Sequence, residues 1–283
     1  MSGLLGVPLG ARGSARARYG RAMRLWAEGA LSAPQLEAYR VAAADDRRPP
    51  REVLEDRRLP IPTDASPSPE ELVRALVDEA DRYLAALPGP GVTEVRVLLS
   101  RWRDGPVTLP PPMLNAVVET HLPPALEALA ADRPALAGAI AAAAPHLNWI
   151  TYDGYPPEEI GTAFARGHAY CSVIGEEAAI PARDFDLGLF LIAPHVLYRD
   201  HAHAAPELYA PLTGPHGWRF GPGRPLVVKP AHSPVWNPPF RPHLTKVGPV
   251  PFLCLFGWTK DSMAPAHVIP ATDWPELEAL CLG

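Results

Sequence analysis

Apolar residues recur at helical spacing through the first half of the chain and in short blocks through the second. Tyr19, Met23 and Trp26 fall at i, i+4 and i+7, which predicts one apolar helical stripe. Ser32-Ala33-Pro34-Gln35 has the form of a capping box, in which the Ser oxygen accepts an orphan backbone N–H and the Gln side chain reaches back. Between Asp45 and Pro67, charge and proline occur without periodicity, which predicts a linker or surface meander. Ser68-Pro69-Glu70-Glu71 opens a stronger helix, with Leu72, Leu76, Tyr83 and Leu87 on its apolar face and Pro88-Gly89 as its stop. Further helices are expected over 113–121, 124–131 and 134–143.

The pattern changes near Asn148. Runs rich in β-branched and aromatic residues alternate with Gly/Pro turns at 149–152, 168–174, 188–192, 196–198, 207–212, 226–229 and 252–258. Short strands between turn residues predict an antiparallel sandwich or barrel. The expectation is an α+β chain, with residues 1–146 helical and 147–283 forming a β domain.

Composition adjusts this picture. The chain has 37 Pro and 22 Gly among 283 residues, yet 47% of it is hydrophobic, enough for a buried core. Acidic residues outnumber Lys and Arg by 31 to 26, so the basic excess of a nucleic-acid binder is absent. The three cysteines, Cys171, Cys254 and Cys281, have no paired spacing, which excludes a disulfide framework and suits a reducing compartment. The apolar stretch at 135–144 is far short of the ~20 residues a membrane helix needs, and Met1–Arg21 has its arginines after its apolar run, the reverse of a signal peptide. A cytoplasmic protein with no membrane partner is expected.

The candidate chemistry lies in the histidines. His195, His201, His203, His216, His232 and His243 crowd into 49 residues of the β half. A strand puts i and i+2 on one face, so His201 and His203 can aim two imidazoles at one point. An H-x-H pair alone is commonly a solvent-facing polar pair; Glu207, four residues on, makes it a site for a divalent first-row metal. Tyr209 shares the parity of Glu207. A fourth ligand must come from a facing strand, and His243 and His232 both qualify. His195 and His216 read as supporting or structural residues.

The string Tyr198-x-x-His201-x-His203-x3-Glu207-x-Tyr209 resembles the cupin-type dimethylsulfoniopropionate (DMSP) lyases, and Pro242-His243-Leu244 with the later Phe252 and Phe256-Gly257-Trp258 is similar to that family's last ligand and final strand. The likeness covers residues 148–262. It implies a cupin-like double-stranded β-barrel after the helical region, and β-elimination of DMSP to dimethyl sulfide and acrylate. On that assignment His201, His203, Glu207 and His243 hold one divalent ion, whether Zn, Fe, Mn, Co or Ni. Tyr209 is then the base and Tyr198 a second acid/base or positioning group. The substrate's sulfonium cation calls for aromatic faces, and Trp149, Tyr155, Tyr170, Trp218 and Trp258 are the candidates.

Two other readings use the same residues. One is a metal-dependent cupin dioxygenase or isomerase acting on a small carboxylate, because this ligand set also serves iron and O2. The other is a non-catalytic cupin that binds a small molecule. Helical arms beside a barrel are compatible with a homodimer.

Overall fold

A computed structural model describes residues 14–44, 48–62, 67–111 and 115–282. The chain forms two compact units, residues 1–75 and 76–283.

In the first unit, α1 (Ser14–Ala27), α2 (Ala33–Ala44) and α3 (Pro50–Asp56) enclose a small core of Ala22, Leu25, Leu31, Ala38, Tyr39, Ala42, Val53 and Leu54. The capping box forms as read: Ser32 N–H donates to Gln35 Oε1 at 2.7 Å and Gln35 N–H to Ser32 Oγ at 3.4 Å. Two expectations are corrected. The buried face of α1 carries Arg18, Ala22 and Leu25, whereas Met23 and Trp26 are 38% and 45% exposed. The helix is rotated toward its small residue, because Ala22 permits closer approach than Met23. The stretch read as a linker contains α3, started by Pro50 at its first turn and held by Val53 and Leu54. Its seven residues are too few for a periodic signal. Residues 45–47 and 63–66 of that stretch lie outside the described residues.

Helix α4 (Pro69–Ala85) begins at the second capping box, with Ser68 N–H on Glu71 Oε2 at 2.9 Å. Helix α5 spans Val92–Trp102 and α6 Ala116–Ala130, the latter capped by Asn115, whose side chain accepts from Val117 N–H at 3.0 Å. The two helices expected at 113–121 and 124–131 are one; Met113 lies outside the described residues. Pro123 and Pro124 sit inside α6 on its exposed side, where water can satisfy the two carbonyls they leave without donors. Helix α7 (Pro134–Ala143) completes the helical part, and α8 (Pro157–Ile160) and α9 (Thr162–Arg166) are single turns leading to the sheets.

Among the described residues the strands that follow are β1 (His168–Gly175), β2 (Ile180–Pro181), β3 (Asp186–Ile192), β4 (Leu197–Ala202), β5 (Glu207–Pro211), β6 (His216–Arg219), β7 (Val227–Lys229), β8 (Val235–Asn237), β9 (His243–Val247), β10 (Phe252–Trp258) and β11 (His267–Val268). Helix α10 (Trp274–Ala279) ends the order. A six-stranded sheet runs β2-β1-β3-β10-β5-β8, and a five-stranded sheet runs β11-β4-β9-β6-β7. Residues of both sheets, including Phe190, Tyr209 and Phe256 from the first and Tyr198, Trp218 and Val247 from the second, share one core. This is the expected α+β arrangement, a pair of largely antiparallel sheets after a helical region. The run 149–152 contributes only an isolated bridge, Ile150 to Tyr170. Strands β6, β8 and β9 had no clear sequence signal, because polar residues such as His243, Thr245 and Lys246 are fully buried in them.

Candidate active site

Between His203 and Glu207 the chain crosses from the five-stranded to the six-stranded sheet. The histidines and the Glu207/Tyr209 pair therefore meet across the core rather than along one strand. His201 and His243 are direct cross-strand partners of β4 and β9. The register of that pair shifts between Tyr198 and His201. A bulge there lets residues three apart share a face, and Tyr198 stacks on His201 with ring centroids 3.8 Å apart.

The ligand nitrogens of His201, His203 and His243 all lie within 4.8 Å of one another, and all three residues are buried. Each Nδ1 donates to a backbone carbonyl: His201 to Arg199 at 2.8 Å, His203 to Ala205 at 2.8 Å and His243 to Arg241 at 2.9 Å. A carbonyl can only accept, so these bonds place a proton on each Nδ1 and turn the three Nε2 atoms toward one point. Nε2 of His201 and of His243 is buried without a hydrogen-bond partner among the described residues. Glu207 Oε2 lies 3.0 Å from His203 Nε2 and 3.4 Å from His243 Nε2, and Trp258 Nε1–H donates to its Oε1 at 2.8 Å. Burial would push the Glu207 carboxyl up, but His203 and His243 hold it below the usual carboxylate range. Three imidazoles and one carboxylate, with two buried acceptors otherwise unsatisfied, fit a divalent cation. His232 is elsewhere, bound to Tyr83 Oη at 3.0 Å and Asp132 at 2.8 Å.

Glu207, Tyr209 and Tyr198 open onto a cavity of about 350 Å³, lined also by Tyr155, Tyr170, Phe256 and Trp258. Burial, then the Glu207 charge beside it, pushes the Tyr209 phenol well above its ordinary value. The hydroxyls of Tyr198 and Tyr155 are hydrogen-bonded at 2.8 Å. Trp149 and Trp218 do not reach the cavity. Each is a buried core side chain whose indole N–H is already used, Trp149 on the Ala144 carbonyl at 3.1 Å and Trp218 on His216 Nδ1 at 2.7 Å. His195 is exposed at a positive φ of 63°.

Two buried titratable residues of the cavity wall escaped the sequence reading. His168 stacks on Phe164, which in turn stacks on Tyr198, with centroids 4.0 and 3.9 Å apart. Its Nδ1 donates to the Phe164 carbonyl at 2.6 Å and its Nε2 accepts from Tyr152 N–H at 3.1 Å. Burial pushes it down to about 4, so it is a neutral strut that fixes the Tyr152 loop. Asp186, at the start of β3, accepts from Ser172 Oγ at 2.9 Å, and burial pushes its carboxyl up to about 7. Neither has a spacing signature; only the fold brings them to the cavity.

Comparison with known proteins bears on the fold and the family. A chain from the crystal structures of the DMSP lyases RdDddP and RnDddQII superposes with a TM-score of 0.52 at 19% identity, covering 72% of this chain and all of that one. The DMSP lyase DddQ of Ruegeria pomeroyi DSS-3 gives a TM-score of 0.50 at 21% identity, over 70% of this chain and 95% of that one. These two likenesses speak for the fold. In sequence, the candidate DMSP lyase DddL of Cereibacter sphaeroides is 31% identical over 154 residues, which is 53% of this chain and 61% of that protein's length. The dimethylsulfoniopropionate lyase family profile matches residues 99–254, starting within α5 and so reaching further toward the N-terminus than the motif itself. The chain belongs to the dimethylsulfoniopropionate lyase family.

Proposed function

We propose that the β-rich part of the chain, 147–283, splits DMSP by β-elimination into dimethyl sulfide and acrylate. His201, His203, Glu207 and His243 would hold a divalent ion, which when bound supplies Lewis acidity for the substrate carboxylate and a positive field that lowers the Tyr209 pKa. Tyr209 takes the proton alpha to the carboxylate. The C–H electrons form the new double bond, the C–S bond breaks, and the sulfide departs neutral, so no strong acid is required.

The other residues hold this arrangement. The Tyr155–Tyr198 hydroxyl pair positions the substrate or shuttles a proton. Tyr155, Tyr170 and Trp258 present aromatic surface in the cavity wall, where a cation gains about 0.5–2 kcal/mol from an aromatic face. Trp258 also keeps Glu207 oriented.

The observation that carries the reading is the convergence of three carbonyl-anchored histidines with Glu207, which lines the cavity together with Tyr209. The test is headspace detection of dimethyl sulfide after incubating metal-loaded protein with DMSP. Tyr209→Phe should abolish nearly all sulfide while retaining the metal. Protein with a full metal site and no sulfide would sink the lyase reading in favour of a dioxygenase, an isomerase or a non-catalytic binder.

A further inference from the structure

The floor of the cavity contains a row of three residues across adjacent strands. Trp258 on β10 is the register partner of Asp186 on β3 and of Glu207 on β5. Register partners project to the same face, and strands lie about 4.8 Å apart, so Asp186 stands about 10 Å from Glu207 with Trp258 between them. Oδ2 of Asp186 is used by Ser172, but Oδ1 is buried with no partner among the described residues. No Lys or Arg lines this cavity among the described residues; its other charged side chains, Glu176 and Glu177, are acidic and exposed.

A buried carboxylate oxygen with neither donor nor cation is costly, and this one stands in the wall of a ligand cavity beside the Trp258 ring and the Tyr170 phenol. What the wall lacks is positive charge. The end near Glu207 and the histidines fits an anion bound through a divalent ion, so the cavity as a whole is matched to a zwitterion.

We propose that Asp186 is the counter-charge for the sulfonium end of the substrate, and that it makes the site select zwitterions over plain carboxylates. The proposal rests on the elimination reading for the identity of the cation. In DMSP the carboxyl carbon and sulfur are three bonds apart, about 4 Å when extended, which a row of this length accommodates. A sulfonium has no N–H to donate, so it is matched by an oxygen left without a hydrogen bond and by aromatic faces.

The test compares two acids of the same shape, 3-(trimethylammonio)propionate and 4,4-dimethylpentanoate, which differ at one atom, a cationic nitrogen in place of a neutral carbon. Their binding to the metal-loaded protein is measured by calorimetry. Wild type should favour the cationic acid by about tenfold or more; equal affinities would overturn the proposal without any variant. Asp186→Asn should cut the preference several-fold, to the part that the aromatic faces supply, and leave the neutral acid's affinity unchanged. Ser172→Ala removes the hydrogen bond but keeps the carboxyl, and should retain the preference at a pH high enough to ionise it. A preference that survives Asp186→Asn undiminished, or a variant that loses both ligands equally, would refute the assignment. If the preference depends on Asp186 but DMSP yields no dimethyl sulfide, the elimination reading fails and the counter-charge stands.

Discussion

The Trp258 indole N–H donates to Glu207 Oε1 at 2.8 Å, while the same ring stacks on His203 with centroids 4.5 Å apart. One side chain thus orients a carboxylate and an imidazole that the proposed metal would share. Trp258→Phe keeps a ring against His203 and deletes the donor. Loss of such an outer hydrogen bond costs about 10–100-fold in metal affinity. Metal retained during dialysis against graded chelator should fall by that order, with the unfolding midpoint little changed; retention equal to wild type would show that Glu207 needs no such support.

His243 and His232 separate cleanly. His243 belongs to the buried trio, whereas His232 bridges Tyr83 and Asp132. His243→Ala should lose bound metal, measured by elemental analysis of purified protein. His232→Ala should keep it and lose about 1–3 kcal/mol of stability through its broken hydrogen bonds. The opposite pattern would move the fourth ligand.

How much of this was legible in the chain depends on how local each signal is. The pairing of His201 with His203 follows from a period of two, and Ser32, Gln35, Ser68 and Glu71 follow from capping geometry; all act within a few residues. Tyr198 is different. It shares a face with His201 only because β4 bulges between them, a feature that parity argues against and that the family resemblance alone supplied. Glu207 was singled out by its spacing from His203, but spacing did not show that it reaches the histidines from the opposite sheet. Asp186 and His168 were invisible, because what qualifies them is an unpaired oxygen and a stack of rings. Trp149 and Trp218 show the converse: composition can nominate an aromatic, but only packing decides between core and cavity.

Asp186 also gives a pH prediction. Burial raises its carboxyl to about 7 in the folded protein, against about 3.9 in an unfolded chain. The folded state then binds this proton more tightly, so the group's contribution is neutral below about pH 4 and grows destabilising as pH rises toward 7. Asp186→Asn removes that cost. Urea midpoints of wild type and variant should diverge in the variant's favour between about pH 5 and pH 8. Parallel curves would mean that the carboxylate is better solvated than its surroundings indicate.

Behind the histidines, Arg219 is 1% exposed and binds the fully buried Asp200 through two nitrogens, one of them 3.2 Å from Oδ1. Asp200 immediately precedes His201 and also accepts from Trp274 Nε1–H at 2.9 Å. Removing the cation alone leaves a buried carboxylate uncompensated, which costs about 3–5 kcal/mol. Arg219→Met should therefore destabilise by that amount in urea unfolding. Adding Asp200→Asn should restore part of the loss, since the double variant no longer buries a lone charge. If the two changes simply add, the pair is not coupled, and Arg219 stabilises the chain by packing alone. A coupled result would identify this ion pair as the brace that fixes the backbone of β4 at the residue before His201.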